Sequence, residues 1–183
     1  MDGSLIRLSK FISLVLRHNP GKIDLTLDPN GWADVDELIQ KGNQFGFHFN
    51  RAMLEQVVAE NDKQRFAFGP NGTKIRASQG HSIQVDLGLA PLSPPDVLYH
   101  GTATRFQGSI LEKGLLARGR QYVHLSKDRE TALKVGRRHG KPVVFIIKAR
   151  DMECDGLKFY LSDNGIWLVE YVPVRYLQLE TSE

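Results

Sequence analysis

The sequence contains one cysteine, Cys154. A single thiol cannot close an intrachain disulfide, so a disulfide framework is excluded and a reducing compartment is the natural setting. Long apolar runs are missing too. No stretch of about 18 apolar residues occurs, and the first residues lack the regions and cleavage site of a secretory signal. A cytoplasmic protein with no membrane partner is expected. Neither sign of charge dominates: 24 Lys and Arg stand against 21 Asp and Glu, a net charge of +3 over 183 residues, with a pI near 9.0. Residues 1–90 carry 10 basic and 10 acidic side chains and residues 91–183 carry 14 and 11, so an anionic partner is favoured only mildly. A dedicated duplex binder would show a stronger basic stripe. His48, His81 and His139 are scattered. With one cysteine they offer no metal-ligand spacing, and no metal is expected. No Gly-x-Gly-x-x-Gly turn follows a strand pattern, which leaves a Rossmann dinucleotide site unsupported.

What remains is an ordinary globular composition, 41% apolar and 25% charged, in a chain long enough for one large domain or two small ones. Leu5, Leu8, Phe11, Ile12, Val15 and Leu16 recur at three- and four-residue spacings and predict an amphipathic helix ending near Arg17, stopped by Asn19-Pro20-Gly21. Asp34 with Glu37 resembles a capping box for a second helix over Val35 to Lys41. Asn50 can cap a third, with Met53, Leu54, Val57 and Val58 on one face. Arg65 to Phe68 and Thr73 to Arg76 flank Pro70-Asn71-Gly72, the pattern of a β-hairpin. Helices followed by a hairpin is the order of a winged helix. Three prolines within Ala90 to Asp96 make a linker.

Beyond the linker the pattern turns strand-rich: Val97 to Tyr99, Tyr122 to Leu125, Val143 to Lys148, Leu157 to Leu161, Ile166 to Val172 and Leu177 to Leu179. Helices are expected over Phe106 to Lys113, closed by Gly114, and over Arg129 to Arg137, capped by Ser126 or Asp128. The fold class is therefore α+β: an N-terminal lobe over residues 1–89, a linker over 90–96, and a lobe over 97–183 with a split, largely antiparallel sheet.

The residues that could carry chemistry fall into two sets. Arg17 and His18 sit where the first helix ends, and Arg65 opens the hairpin. On its own, a cation at a helix C-terminus gains from the macrodipole, and an Arg beside a strand is a solvated charge. Together, planar Arg forks beside a His make an anion pocket. In the second set, Val97-Leu98-Tyr99 runs into His100-Gly101-Thr102, which would bring a donor ring and exposed backbone to the end of a sheet. Arg120 precedes a strand carrying His124 and Ser126.

Tyr-His-Gly-Thr and His-Leu-Ser together resemble the nicotinamide dinucleotide clamp of ADP-ribosyltransferases. There the Gly backbone holds the nicotinamide amide, and the His and hydroxyl side chains hold the riboses. The whole ordered set, Leu16-Arg17-His18, Arg65-Phe66, Tyr99 to Thr102 and Arg120 to Ser126, is similar to the NAD-dependent RNA 2'-phosphotransferase family, with the likeness running from about Leu5 to Leu179.

That resemblance implies a winged-helix lobe and an ADP-ribosyltransferase-like lobe with the site in the cleft between them. NAD is implied as a consumed co-substrate, and RNA with an internal 2'-phosphate, such as a tRNA splice junction, as the partner. In the first step the 2'-phosphate attacks C1 of the nicotinamide-side ribose and nicotinamide leaves. In the second, the ribose 2-hydroxyl attacks phosphorus, giving 2'-hydroxyl RNA and ADP-ribose 1'',2''-cyclic phosphate.

The resemblance assigns Arg17, His18 and Arg65 to the RNA phosphate, Arg120 to the second transition state, and His100, Gly101, Thr102, His124 and Ser126 to NAD. His18 is a candidate acid for the departing RNA oxygen. Protein-modifying relatives carry a catalytic Glu on a late strand; the resemblance implies an apolar residue there, so Glu170 is not expected to act. A monomer is expected. The alternatives are an ADP-ribosyltransferase that stops after the first step, capping a nucleic-acid phosphate end or modifying another acceptor, and a non-enzymatic winged-helix sensor of NAD or ADP-ribose.

Overall fold

The computed structural model describes residues 3–61 and 63–180, and the chain divides into two compact units, Met1–Gly88 and Leu89–Glu183. In the first, helix α1 (Gly3–Arg17) buries Leu5, Leu8, Phe11, Ile12, Val15 and Leu16, the stripe its periodicity requires. Each such side chain contributes about 2 kcal/mol by leaving water. A 3₁₀ turn over Pro20–Ile23 follows, where the fixed proline φ is accommodated. Strand β1 (Ala33–Asp34) leads into helix α2 (Val35–Gln44), whose first turn is capped by Asp34 accepting from the Glu37 amide at 2.9 Å. Only that half of the expected capping box forms. Glu37 Oε1 instead accepts from the Thr26 amide at 3.2 Å and from Lys41 Nζ at 2.7 Å.

Helix α3 (Arg51–Ala59) is capped by Asn50, which accepts from the Met53 amide, and it buries Leu54 and Val57. The hairpin then forms from β2 (Phe66–Phe68) and β3 (Lys74–Ala77), paired Phe66 to Ala77 through Phe68 to Ile75. β1 adds to β3, giving the antiparallel order β1-β3-β2. β1 is too short to show a period of two, so the sequence pattern does not reveal it. Phe11 and Phe47 stack at 3.9 Å between centroids over the shared core.

The second unit begins its sheet with β4 (Leu98–Ala103), followed by a 3₁₀ turn over Thr104–Phe106 and helix α4 (Gln107–Lys113), closed by Gly114 at φ 78°. Strands β5 (Leu115–Leu116) and β6 (Val123–Leu125) come next, then helix α5 (Arg129–Arg137), capped by Asp128 through the Thr131 amide. The remainder is β7 (Pro142–Ile147), helix α6 (Ala149–Cys154), β8 (Tyr160–Leu161), β9 (Trp167–Val169), β10 (Tyr171–Val172) and β11 (Leu177–Leu179). The sheets are β11-β7-β4, β6-β9-β8 and β10-β5, with every pairing antiparallel among the described residues. Tyr99 and Ser126 exchange backbone bonds of 2.9 and 2.8 Å, which joins the first two sheets at one point.

Three expectations change here. The first strand does not stop before the histidine: β4 runs through His100, Gly101 and Thr102, and each pairs with β7. Gly101 is buried rather than exposed, because a Cβ there would fall 1.6 Å from the Ala132 carbonyl oxygen of α5. The long strand over Ile166 to Val172 is broken at Glu170, where the chain leaves the β6-β9-β8 sheet and pairs with β5 instead. Helix α6 has no side-chain cap and only six residues, too few for its buried Ala149 and Met152 to show a period. No helix among the described residues is long and apolar enough to cross a membrane.

Candidate active site

In the first unit α1 ends by delivering Arg17 and His18 side by side. The segment after β3 reaches back to them: Ser82 donates its amide to the Arg17 carbonyl at 2.9 Å, and Ser82 Oγ lies 2.9 Å from His18 Nδ1. Arg17 Nη2 donates to the Arg65 carbonyl at 3.3 Å, and the Arg17 guanidinium lies 5.9 Å from the Phe66 ring centroid. Arg65 is itself aimed by Asn61, whose Oδ1 accepts from Nη1 at 3.1 Å. Asn61 is buried and held in turn by Ser9 of α1 at 3.3 Å. Residues 48 apart in sequence, Arg17 and Arg65, are thus one cluster with His18 beside it.

Next to this cluster is a residue that spacing alone did not mark. His81 is 2% exposed, and its Nε2 is buried without a hydrogen-bond partner. Burial, with the charges of Arg17, His18 and Arg76 nearby, pushes its pKa down to about 4. The imidazole is therefore neutral at pH 7 and adds no charge beside the guanidinium groups of Arg17 and Arg76.

In the second unit the β4 register places the other set. In an antiparallel pair, N–H and C=O of alternate residues point to opposite edges. Tyr99 exchanges its bonds with Ser126, so Gly101 directs its amide and carbonyl to that same edge, away from β7, while His100 and Thr102 bond toward β7. His100 Nδ1 donates to the His124 carbonyl at 3.1 Å, because a carbonyl can only accept. Its pKa is lowered, chiefly by burial and then by the charges of His139 and Arg120. A neutral ring with the proton on Nδ1 leaves Nε2 as an acceptor. Arg120 Nη1 lies 3.1 Å from His124 Nδ1, and since a guanidinium only donates, that nitrogen accepts and the His124 proton sits on Nε2. Thr102 on β4 and Ser126, just past β6, are both buried.

These two clusters lie within the region that comparison with known proteins covers. A model described as the RNA 2'-phosphotransferase, Tpt1 / KptA family matches residues 4–171. The chain belongs to this family. Similar curated proteins carry the name "Probable RNA 2'-phosphotransferase". That of Agrobacterium fabrum is 57% identical over 92% of this chain and 91% of its own length. That of Acaryochloris marina is 54% identical over 96% and 97%. That of Flavobacterium johnsoniae is 53% identical over 95% and 96%.

Within this family member the nine residues singled out from sequence form two groups. Arg17, His18 and Arg65 meet in the first unit; His100, Gly101, Thr102, Arg120, His124 and Ser126 meet in the second. Glu170 is exposed between β9 and β10. Missed were His81, Ser82 and Asn61. A signal existed in Gln79-Gly80-His81-Ser82, a polar run between hairpin and linker with no helical or strand period to explain it. The polar residues Asn50, Arg51 and Gln56 at and on α3 are committed locally. Asn50 caps α3, Arg51 bonds Glu55 and the Gly72 carbonyl, and Gln56 bonds Glu60.

Proposed function

We propose that the chain removes an internal 2'-phosphate from RNA by transferring it to NAD, giving 2'-hydroxyl RNA, nicotinamide and ADP-ribose 1'',2''-cyclic phosphate. Met1–Gly88 is then a winged-helix unit that receives the RNA phosphate, and Leu89–Glu183 an ADP-ribosyltransferase-like unit that receives NAD. The observation carrying the reading is the pair of histidines fixed through one another. His100 is neutral with Nε2 as acceptor, His124 is held by Arg120, and both sit at the strand edge toward which Gly101 turns its amide and carbonyl.

Those groups fit NAD. His100 Nε2 can accept from a ribose hydroxyl, and the Gly101 amide and carbonyl match the acceptor and donor of a carboxamide. NAD supplies an anomeric carbon with nicotinamide as leaving group. The chain's residues do the rest. A phosphate monoester is already largely dianionic near pH 7, so Arg17, His18 and Arg65 need only position it for attack. No dedicated base is required. In the second step charge accumulates on the phosphoryl oxygens, and Arg120, held at His124, stabilises it. His18, with Ser82 at its Nδ1, protonates the leaving RNA oxygen.

The test is product analysis after mixing the protein with NAD and a short RNA bearing one internal 2'-phosphate, beside Arg65→Ala and Arg120→Ala. Cyclic phosphate release by the native protein is expected. Arg120→Ala should slow the second step about 10²- to 10³-fold, so that ADP-ribosylated RNA accumulates. Nicotinamide release with no cyclic phosphate from the native protein would instead make the chain an ADP-ribosyltransferase that stops after one step.

A further inference from the structure

The modest net charge conceals a concentration. Residues 105–141 contain ten lysines and arginines against three carboxylates, while the whole chain carries only +3. Much of that charge lies on and after α5. Lys134, Arg137 and Arg138 follow the spacing i, i+3, i+4, which brings them to one side of α5 and its C-terminal cap, and Lys141 follows three residues later, beyond the turn at Gly140 (φ 134°). All four are exposed. The opposite side is fixed by small residues. Ala132 touches the backbone of Gly101, and a Cβ on Gly136 would meet the Thr102 carbonyl oxygen at 2.7 Å.

Two further cations join this surface. The guanidinium groups of Arg105 and Arg118 both lie against the Phe106 ring, at 4.7 and 5.5 Å from its centroid. Arg105 Nη1 is 3.9 Å from where a Gly140 side chain would begin, and the Thr104 amide bonds the Lys141 carbonyl at 2.9 Å. None of these six cations forms an ion pair with a carboxylate among the described residues. A helix C-terminus favours cations in its last turn, which accounts for Lys134 and Arg137. It does not account for two like charges sharing one ring, nor for the uncompensated Arg138 and Lys141. Lys134 does interact electrostatically with Asp128 at the start of α5, and like charges held together are further stabilised by an external anion.

We propose that this face of α5, with Arg105 and Arg118, docks the phosphodiester backbone of the RNA beside its reacting 2'-phosphate. The inference rests on the proposed reaction, in which the RNA phosphate must bond to a ribose held on β4. The strand flanking that phosphate then passes along the unit to which α5 is packed. Continuous phosphates need several exposed cations, and Lys134, Arg137 and Arg138 on α5 with Lys141 just beyond it supply them without any base-reading geometry. This surface therefore sets affinity for length of RNA and not for sequence.

The test neutralises these cations in the full chain, as Lys134→Gln, Arg137→Gln, Arg138→Gln and Lys141→Gln together, with circular dichroism to confirm folding. Substrates are a 2'-phosphorylated dinucleotide and a 2'-phosphorylated 20-mer. Expected is an increase of at least tenfold in KM for the 20-mer at low salt, with kcat, the KM for NAD and the KM for the dinucleotide within twofold. Binding of the 20-mer followed by fluorescence anisotropy should lose about 2 to 3 from its log–log salt slope, at roughly 0.7 per phosphate contact.

Equal effects on both RNAs, no effect on either, or a raised KM for NAD would overturn the proposal. The last result would assign the cations to the dinucleotide's own phosphates. Anisotropy with a 20-mer lacking any 2'-phosphate separates this inference from the reaction. If the native protein makes no cyclic phosphate yet binds that strand with the same four-residue salt dependence, the reaction fails and the docking face stands. If it does not bind the strand, the docking face fails.

Discussion

A buried histidine held neutral makes stability depend on pH in one direction. His81 has a folded pKa of about 4, below the ordinary 6.5, owing first to burial and then to the charges of Arg17, His18 and Arg76. Between those values the unfolded chain takes up a proton that the native chain refuses. Its contribution is therefore fully present above about pH 6.5 and is lost as pH falls toward 4, by on the order of 3 kcal/mol at most. His100 is shifted in the same direction, chiefly by burial, and adds stability that is likewise lost as pH falls below its ordinary value. Urea unfolding of the native chain and His81→Gln at pH 7.5 and pH 4.5 checks this. The native chain should lose more stability between the two pH values than the variant does; equal losses would mean that His81 is protonated in the fold. The same residue shows what spacing alone missed. Three-dimensional enclosure by Gly31, Val85 and the arginines, not any motif, makes it a neutral neighbour of the Arg17–His18–Arg65 cluster.

At the scale of elements, contact between α5 and β4 decides whether β4 can exist in this form. Gly101 and Gly136 let backbone approach backbone, and a methyl at Gly101 would collide with the Ala132 carbonyl. Gly101→Ala should cost about 3 kcal/mol or prevent the second unit from folding, since neither strand nor helix can yield without breaking its own bonds. Gly108→Ala, where a Cβ meets nothing within 4 Å, is the control and should be neutral or stabilising by up to about 1 kcal/mol. Equal denaturation midpoints for the two variants would contradict this packing. Elements with their own signals were legible: the α1 stripe, the Asp34, Asn50 and Asp128 caps and the hairpin all appear where the residues place them. Those without were not. α6 is a six-residue helix without a cap, β1 and β5 are two residues each, and the break at Glu170 arises because neighbouring strands belong to different sheets.

For the whole molecule, the proposed chemistry divides between two compact units, and the division itself is measurable. The candidate site residues stood out in the sequence because all but Gly101 are polar or charged residues at the edge of an apolar pattern. Their mutual bonds were not, since Arg17 to Arg65 and His100 to His124 depend on how distant segments pack. Those bonds stay inside a unit: the Arg17–Arg65 cluster is built wholly from Met1–Gly88 and the histidine pair wholly from Leu89–Glu183. Binding of each substrate should accordingly be separable by substitution. His100→Ala removes an acceptor from a ribose hydroxyl, a bond worth about 0.5–1.5 kcal/mol, and should weaken NAD binding by roughly 2- to 12-fold. Affinity for a 2'-phosphorylated oligonucleotide should stay within twofold. Arg65→Ala removes a charged contact worth about 1.5–3 kcal/mol and should weaken the 2'-phosphorylated strand by roughly 10- to 100-fold relative to the same strand without its 2'-phosphate, leaving NAD within twofold. Isothermal titration of each variant with each ligand, one at a time, gives the four numbers. If Arg65→Ala weakened NAD as much as it weakened the phosphate, Arg65 would belong to the dinucleotide site and the two-unit assignment would fall.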